Sequence, residues 1–136
     1  MNKIKNTLSG FTLVELIIVV VIVGGLAVLA IPRYRSTMEA VKSREGVGIL
    51  TALMGAQKRY ALENGGAYTS TLTDLDITIP ASTSFNAPTI ATSNPIASIV
   101  RNNTNNAYGN YTLTITDLGV VACSGGSGSI CTKVGY

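Results

Sequence analysis

Residues 11–31, FTLVELIIVVVIVGGLAVLAI, form an apolar run broken only by Thr12 and Glu15. At about 1.5 Å per residue, a helix of that length measures roughly 31 Å and matches the hydrocarbon core of a bilayer. The run starts abruptly, behind a polar leader, MNKIKNTLSG, whose only charges are Lys3 and Lys5. A secretory signal is cut after its apolar stretch, here behind Val28 and Ala30, which would leave Ile31 as the first residue. Glu15 argues against that arrangement, because it interrupts the apolar region. A carboxylate one turn inside a lipid span is costly, less so near a helix end, and persists where something positive meets it. An interfacial charge on a simple single-span anchor is the blander alternative. Lys3 and Lys5 precede the span and Arg33 and Arg35 follow it, so loop charge does not fix its orientation.

Pro32 ends the apolar run. A proline inside a helix removes one hydrogen bond and crowds the preceding turn, which predicts a kink near residues 28–32. From Arg33 to Asn64 the pattern turns amphipathic, with Leu50, Leu53, Met54, Tyr60 and Ala61 on one broad face. Arg35, Glu39, Lys42, Arg44, Lys58 and Arg59 supply polar positions. Gly46, Gly48 and Gly55 either permit close packing or loosen the helix. Asn64-Gly65-Gly66 is a stop signal, so residues 11–63 read as one long bent helix.

Beyond Gly66 the chain turns to strand and loop. Residues 75–79 (LDITI) alternate with period two up to Pro80, and 81–95 read as an extended surface loop. Residues 96–101 suggest a strand and 102–106 a turn cluster. Residues 111–116 (YTLTIT) are the clearest strand, residues 120–123 make another, and 130–136 suggest a last one. The expected fold class is α+β: a long N-terminal helix, apolar then amphipathic, packed on a small antiparallel sheet.

The 136 residues suffice for one small domain. The net charge of +3 falls to +1 without Lys3 and Lys5, so no basic face argues for nucleic-acid binding. With no histidine, seven carboxylates and no activated nucleophile, nothing assembles a catalytic site, and no cofactor is expected. Cys123 and Cys131 bracket a Ser/Gly loop, and such a pair in an extracytoplasmic setting suggests one disulfide, with two free thiols as the alternative. Two thiolates without histidine make a poor metal site. Asp74 and Asp76 read as solvated, since a calcium site needs more carboxylates nearby. Asn102-Asn-Thr104 and Asn110-Tyr-Thr112 fit the N-glycosylation pattern weakly.

Gly10-Phe11-Thr12-Leu13-Val14-Glu15, the basic leader ahead of it and the apolar tail behind resemble the prepilin signature of the type IV pilin and pseudopilin family. Pro32 and the amphipathic helix fit as well. The resemblance implies a leader at 1–10, a transmembrane and assembly helix at 11–32, and an extracytoplasmic domain at 33–136. It implies cleavage between Gly10 and Phe11 by a prepilin peptidase, N-methylation of Phe11, and residence in the inner membrane before assembly. Inner-membrane assembly machinery would then extrude the subunit into an extracellular homopolymer. There Glu15 would pair with the N-terminus at Phe11 of a neighbour, and residues 24–32, around Pro32, would partly extend. Such a filament serves adhesion, surface motility or DNA uptake, and a type II secretion pseudopilin is the alternative.

Overall fold

A computed structural model describes residues 10–102 and 108–136. The leader residues 1–9, with Lys3 and Lys5, and residues 103–107, with Thr104, lie outside the described residues. The chain divides into two units, Met1–Arg35 and Ser36–Tyr136. One helix, α1 (Leu13–Glu63), supplies the described secondary structure of the first unit and continues into the second. Gly24 and Gly25 are helical, and so are the residues on both sides of Pro32.

In the second unit α1 stops where the sequence says it should. Gly65 and Gly66 take φ of +67° and +90°, values a side chain resists. The Gly66 N–H donates to the Ala61 carbonyl at 2.7 Å, capping the last turn. A 3₁₀ turn, Leu72–Asp74, follows, and then a four-stranded antiparallel meander in the order β1 (Thr89–Ile90), β2 (Ala97–Val100), β3 (Tyr111–Ile115), β4 (Val121–Gly125). Ile99 pairs with Leu113 and Leu113 with Cys123, which fixes the register. Because alternate strand residues share a face, Ala97, Ile99, Tyr111, Leu113 and Ile115 point together into the core. There they meet Leu50, Leu53 and Ala56 of α1 in one cluster. Each fully buried leucine contributes about 1.5–3 kcal/mol of apolar burial.

Gly46 settles the question of the helix glycines at one position. A Cβ there would lie 2.8 Å from the Phe85 ring and 3.1 Å from the Leu113 side chain, so a larger residue would force these core side chains to shift. A Cβ on Gly48 would meet nothing.

Four expectations change. Residues 75–79 alternate in burial, with Leu75 buried and Asp76 and Thr78 exposed, yet they form no strand. The alternation records one buried side, not a ladder partner. The 81–95 segment is not merely a surface loop: Phe85 is buried and bridges to Arg101, and β1 lies within it. The C-terminus is a short helix, α2 (Ile130–Val134), in place of a strand. It is bracketed by Ser129 and Gly135 at positive φ and buries only Ile130. Finally, Glu39 is not a solvent-facing position but is 5% exposed.

Candidate assembly segment

The first unit presents Gly10 and Phe11 in the open, with Phe11 87% exposed. Helix α1 begins two residues later because Thr12 and Glu15 satisfy the free donors of its first turn. The Thr12 N–H donates to Glu15 Oε2 at 2.9 Å, the Thr12 hydroxyl donates to the same oxygen at 2.8 Å, and the Glu15 N–H donates to Thr12 Oγ1 at 3.3 Å. This is a reciprocal capping box. It leaves Gly10 and Phe11 outside the helix, both exposed. Thr12 is thus a hydrogen-bonding partner of Glu15 that the motif alone did not single out, although Thr-x-x-Glu is a recognisable capping signature.

Behind the cap, the large apolar side chains from Leu13 to Ile31 are all more than half exposed. By length and composition α1 is apolar enough to cross a membrane, with a mean hydropathy of 3.0 over its best window. An exposed apolar surface of this kind marks a membrane or protein contact. Pro32 lies at the end of this surface and cannot donate to the Val28 carbonyl.

In the second unit Cys123 of β4 and Cys131 of α2 are joined as a disulfide, with Cα atoms 5.4 Å apart. The chain-entropy model assigns about 2–3 kcal/mol to so short a loop. Alkylation of the unreduced protein is expected to label neither cysteine, and reduction should expose both to the reagent. Labelling of both thiols without reductant would show that no bridge forms.

The same unit holds a polar cluster of another kind. Arg101, 1% exposed, donates from Nε to Glu39 Oε1 at 2.6 Å. Its Nη1 donates to the carbonyl of Ser84 at 2.6 Å and to Asn102 Oδ1 at 3.0 Å. The Tyr111 hydroxyl donates to Glu39 Oε1 at 3.0 Å. The guanidinium lies 5.8 Å from the centre of the Phe85 ring, which meets Tyr111 edge to face. Burial pushes the Glu39 carboxyl up, but the hydrogen bonds from Arg101 and Tyr111 and the arginine charge outweigh it and hold the group below its ordinary range. Burial, and then the bond to Glu39, raise the Tyr111 hydroxyl. At the surface, Asp76 pairs with Arg59 through two bonds of 2.7 and 2.8 Å, and Asp74 accepts from the Thr69 hydroxyl. Among the described residues no group of three metal-ligating side chains converges.

The structure therefore brings Glu15 to Thr12 and Cys123 to Cys131. No protein-family model matches the chain, and no solved structure matches it significantly. The chain is similar to type II secretion system core protein G of Pseudomonas aeruginosa, 41% identical over 68 residues, which cover 50% of this chain and 47% of that protein. It is 36% identical over 87 residues to the protein of the same name from Aeromonas hydrophila, covering 64% and 56%. It is also 45% identical over 49 residues to type IV major fimbrial protein FimA of Dichelobacter nodosus, covering 36% and 31%. The chain spans about half the length, or less, of these curated relatives. With its long apolar helix and small antiparallel sheet, the chain is similar to relatives of both kinds, type II secretion core protein G and type IV fimbrial protein, which supports a likeness to the type IV pilin and pseudopilin family.

Proposed function

We propose that this chain is a structural subunit of a type IV pilus filament, cut between Gly10 and Phe11, methylated on the new Phe11 amine and polymerised through residues 11–31. The observation that carries this reading is the exposed apolar surface of α1 behind a capped, accessible start. Residues 1–10 serve as leader, 11–32 as membrane and assembly helix, and 33–136 as the extracytoplasmic domain. Before assembly the segment 11–31 lies in the inner membrane, where a prepilin peptidase removes the leader and the assembly machinery takes up the subunit. In the extracellular polymer, helix packing provides the cohesion. Glu15 exchanges part of its bonding to Thr12 for the Phe11 amine of a neighbour. Pro32 marks where the backbone opens when helices crowd it.

A second reading, a pseudopilin of a type II secretion system, is favoured by the longer matches, which are to core protein G. Intact mass spectrometry of protein from sheared surface material tests the first. The expected mass is that of a chain starting at methylated Phe11, from long fibres seen by negative stain. A mature start at Met1 or Ile31 would overturn the processing scheme. Correct processing without long fibres would move the assignment to the secretion class.

A further inference from the structure

Within the second unit, the buried residues of α1 run Glu39, Ser43, Gly46, Leu50, Leu53, Ala56, Gln57, Ala61. Their chemistry changes along the helix. From Gly46 onward α1 meets the sheet through apolar contact: Phe85 and Leu113 crowd Gly46, and Leu50 and Leu53 are fully buried. In the two turns before Gly46, Val41 is more than half exposed, and the buried positions are Glu39 and Ser43. The Ser43 hydroxyl is used within the helix, donating to the Ala40 carbonyl. The side-chain bonds that reach across from this stretch end on carboxylates: Arg101 and Tyr111 on Glu39, and the Ser82 hydroxyl on Glu45 at 2.6 Å.

We propose that the Glu39–Arg101–Tyr111 cluster is a latch holding residues 39–46 of α1 to the sheet, and that this stretch opens as a unit independent of the apolar core at 50–61. Ionic contacts and apolar packing fail under different conditions, so a helix held by each in turn has two separable zones of stability. The groups that face the Glu39 carboxylate are Arg101 at the end of β2, Tyr111 of β3 and, more weakly, Lys42 of α1 itself. When the latch opens, Arg101 keeps its bonds to Ser84 and Asn102. The sheet side therefore stays ordered while the helix turns part from it. The segment lies close to the start of the second unit at Ser36.

Hydrogen exchange followed by mass spectrometry on the full chain in detergent micelles tests this with three variants. Glu39→Gln keeps the shape and removes the charge. It should speed exchange over 39–46 by about tenfold or more and leave 50–61 as in the wild type. Leu53→Ala should do the reverse, speeding exchange over 50–61 on the order of a hundredfold with little change over 39–46. Glu39→Met with Arg101→Met, which replaces the pair by apolar contact, should return 39–46 to wild-type protection. Equal acceleration of both stretches in either single variant, or none over 39–46 in Glu39→Gln, would overturn the latch.

Discussion

Replacing Arg101 by methionine is expected to destabilise the folded domain by about 3–5 kcal/mol at pH 7, because it leaves the Glu39 carboxylate buried without its counter-charge. Denaturant unfolding of the full chain in detergent, followed by near-ultraviolet dichroism of the tyrosines, measures the loss. Its pH dependence identifies the cause. In the wild type the folded-state value of Glu39 is depressed. The stability it contributes is complete above the ordinary glutamate value, near 4.3, and is lost as pH falls through the lower folded value. Tyr111 is shifted the other way. Its neutral hydroxyl contributes fully below the ordinary tyrosine value, near 10, and that share is lost as pH rises through the higher folded value. In Arg101→Met the orphaned carboxyl becomes easier to protonate, so the deficit should shrink as pH falls toward 5. A deficit that is constant with pH would mean that packing of the arginine stem against Phe85, and not the charge, carries the effect.

This cluster also shows where the sequence stops being legible. Glu39 sits in an amphipathic helix among Arg35, Lys42 and Arg44, where a charge usually marks the solvent side. Its partner is 62 residues away, beyond the reach of helical spacing rules, and nothing local distinguishes it from its neighbours. The features that could be read were those encoded within one turn or one strand. Asn64-Gly65-Gly66 ended the helix because glycine alone takes the backbone past the last carbonyls without strain. Residues 111–115 formed β3 because their alternation places Tyr111, Leu113 and Ile115 on one buried face.

The same period misled at 75–79. Period two states that one side is buried, and says nothing of a neighbouring strand to accept the backbone bonds. At the C-terminus, seven residues were too few to separate strand from helix by pattern. The outcome there turned on Ser129 and Gly135, whose left-handed backbone brackets α2 next to the Cys131 bond to β4. In the apolar segment, the lone carboxylate at Glu15 suggests a positive partner in another subunit. The nearer partner, Thr12, was visible three residues upstream.

That nearer partner shapes the second large effect expected. Glu15→Ala should cut filament yield at least about tenfold while leaving the domain folded, since loss of one member of a desolvated charge pair is worth more than one decade in an equilibrium constant. Alanine by itself is ambiguous, because it removes both the charge and the acceptor of two Thr12 hydrogen bonds. Glu15→Gln separates them. A glutamine at this position still completes a capping box through its amide oxygen, so the helix start at Leu13 is kept and only the charge is lost. Thr12→Ala is the complement: the carboxylate stays, and the reciprocal cap goes. If Glu15 acts in the polymer by meeting the positive amine of Phe11, Glu15→Gln should fail as badly as Glu15→Ala. Thr12→Ala should then assemble with a smaller loss, because a carboxylate freed from its cap remains available to the neighbour. Normal fibre yield from Glu15→Gln together with failure of Thr12→Ala would reverse the assignment. It would make the cap, and the helix start it fixes next to the proposed cleavage site, the essential property. Quantifying sheared fibres alongside membrane-retained subunit and the mature N-terminus separates a defect in assembly from one in processing. A block at cleavage leaves the leader attached, whereas a block at pairing leaves a cut, methylated subunit in the membrane.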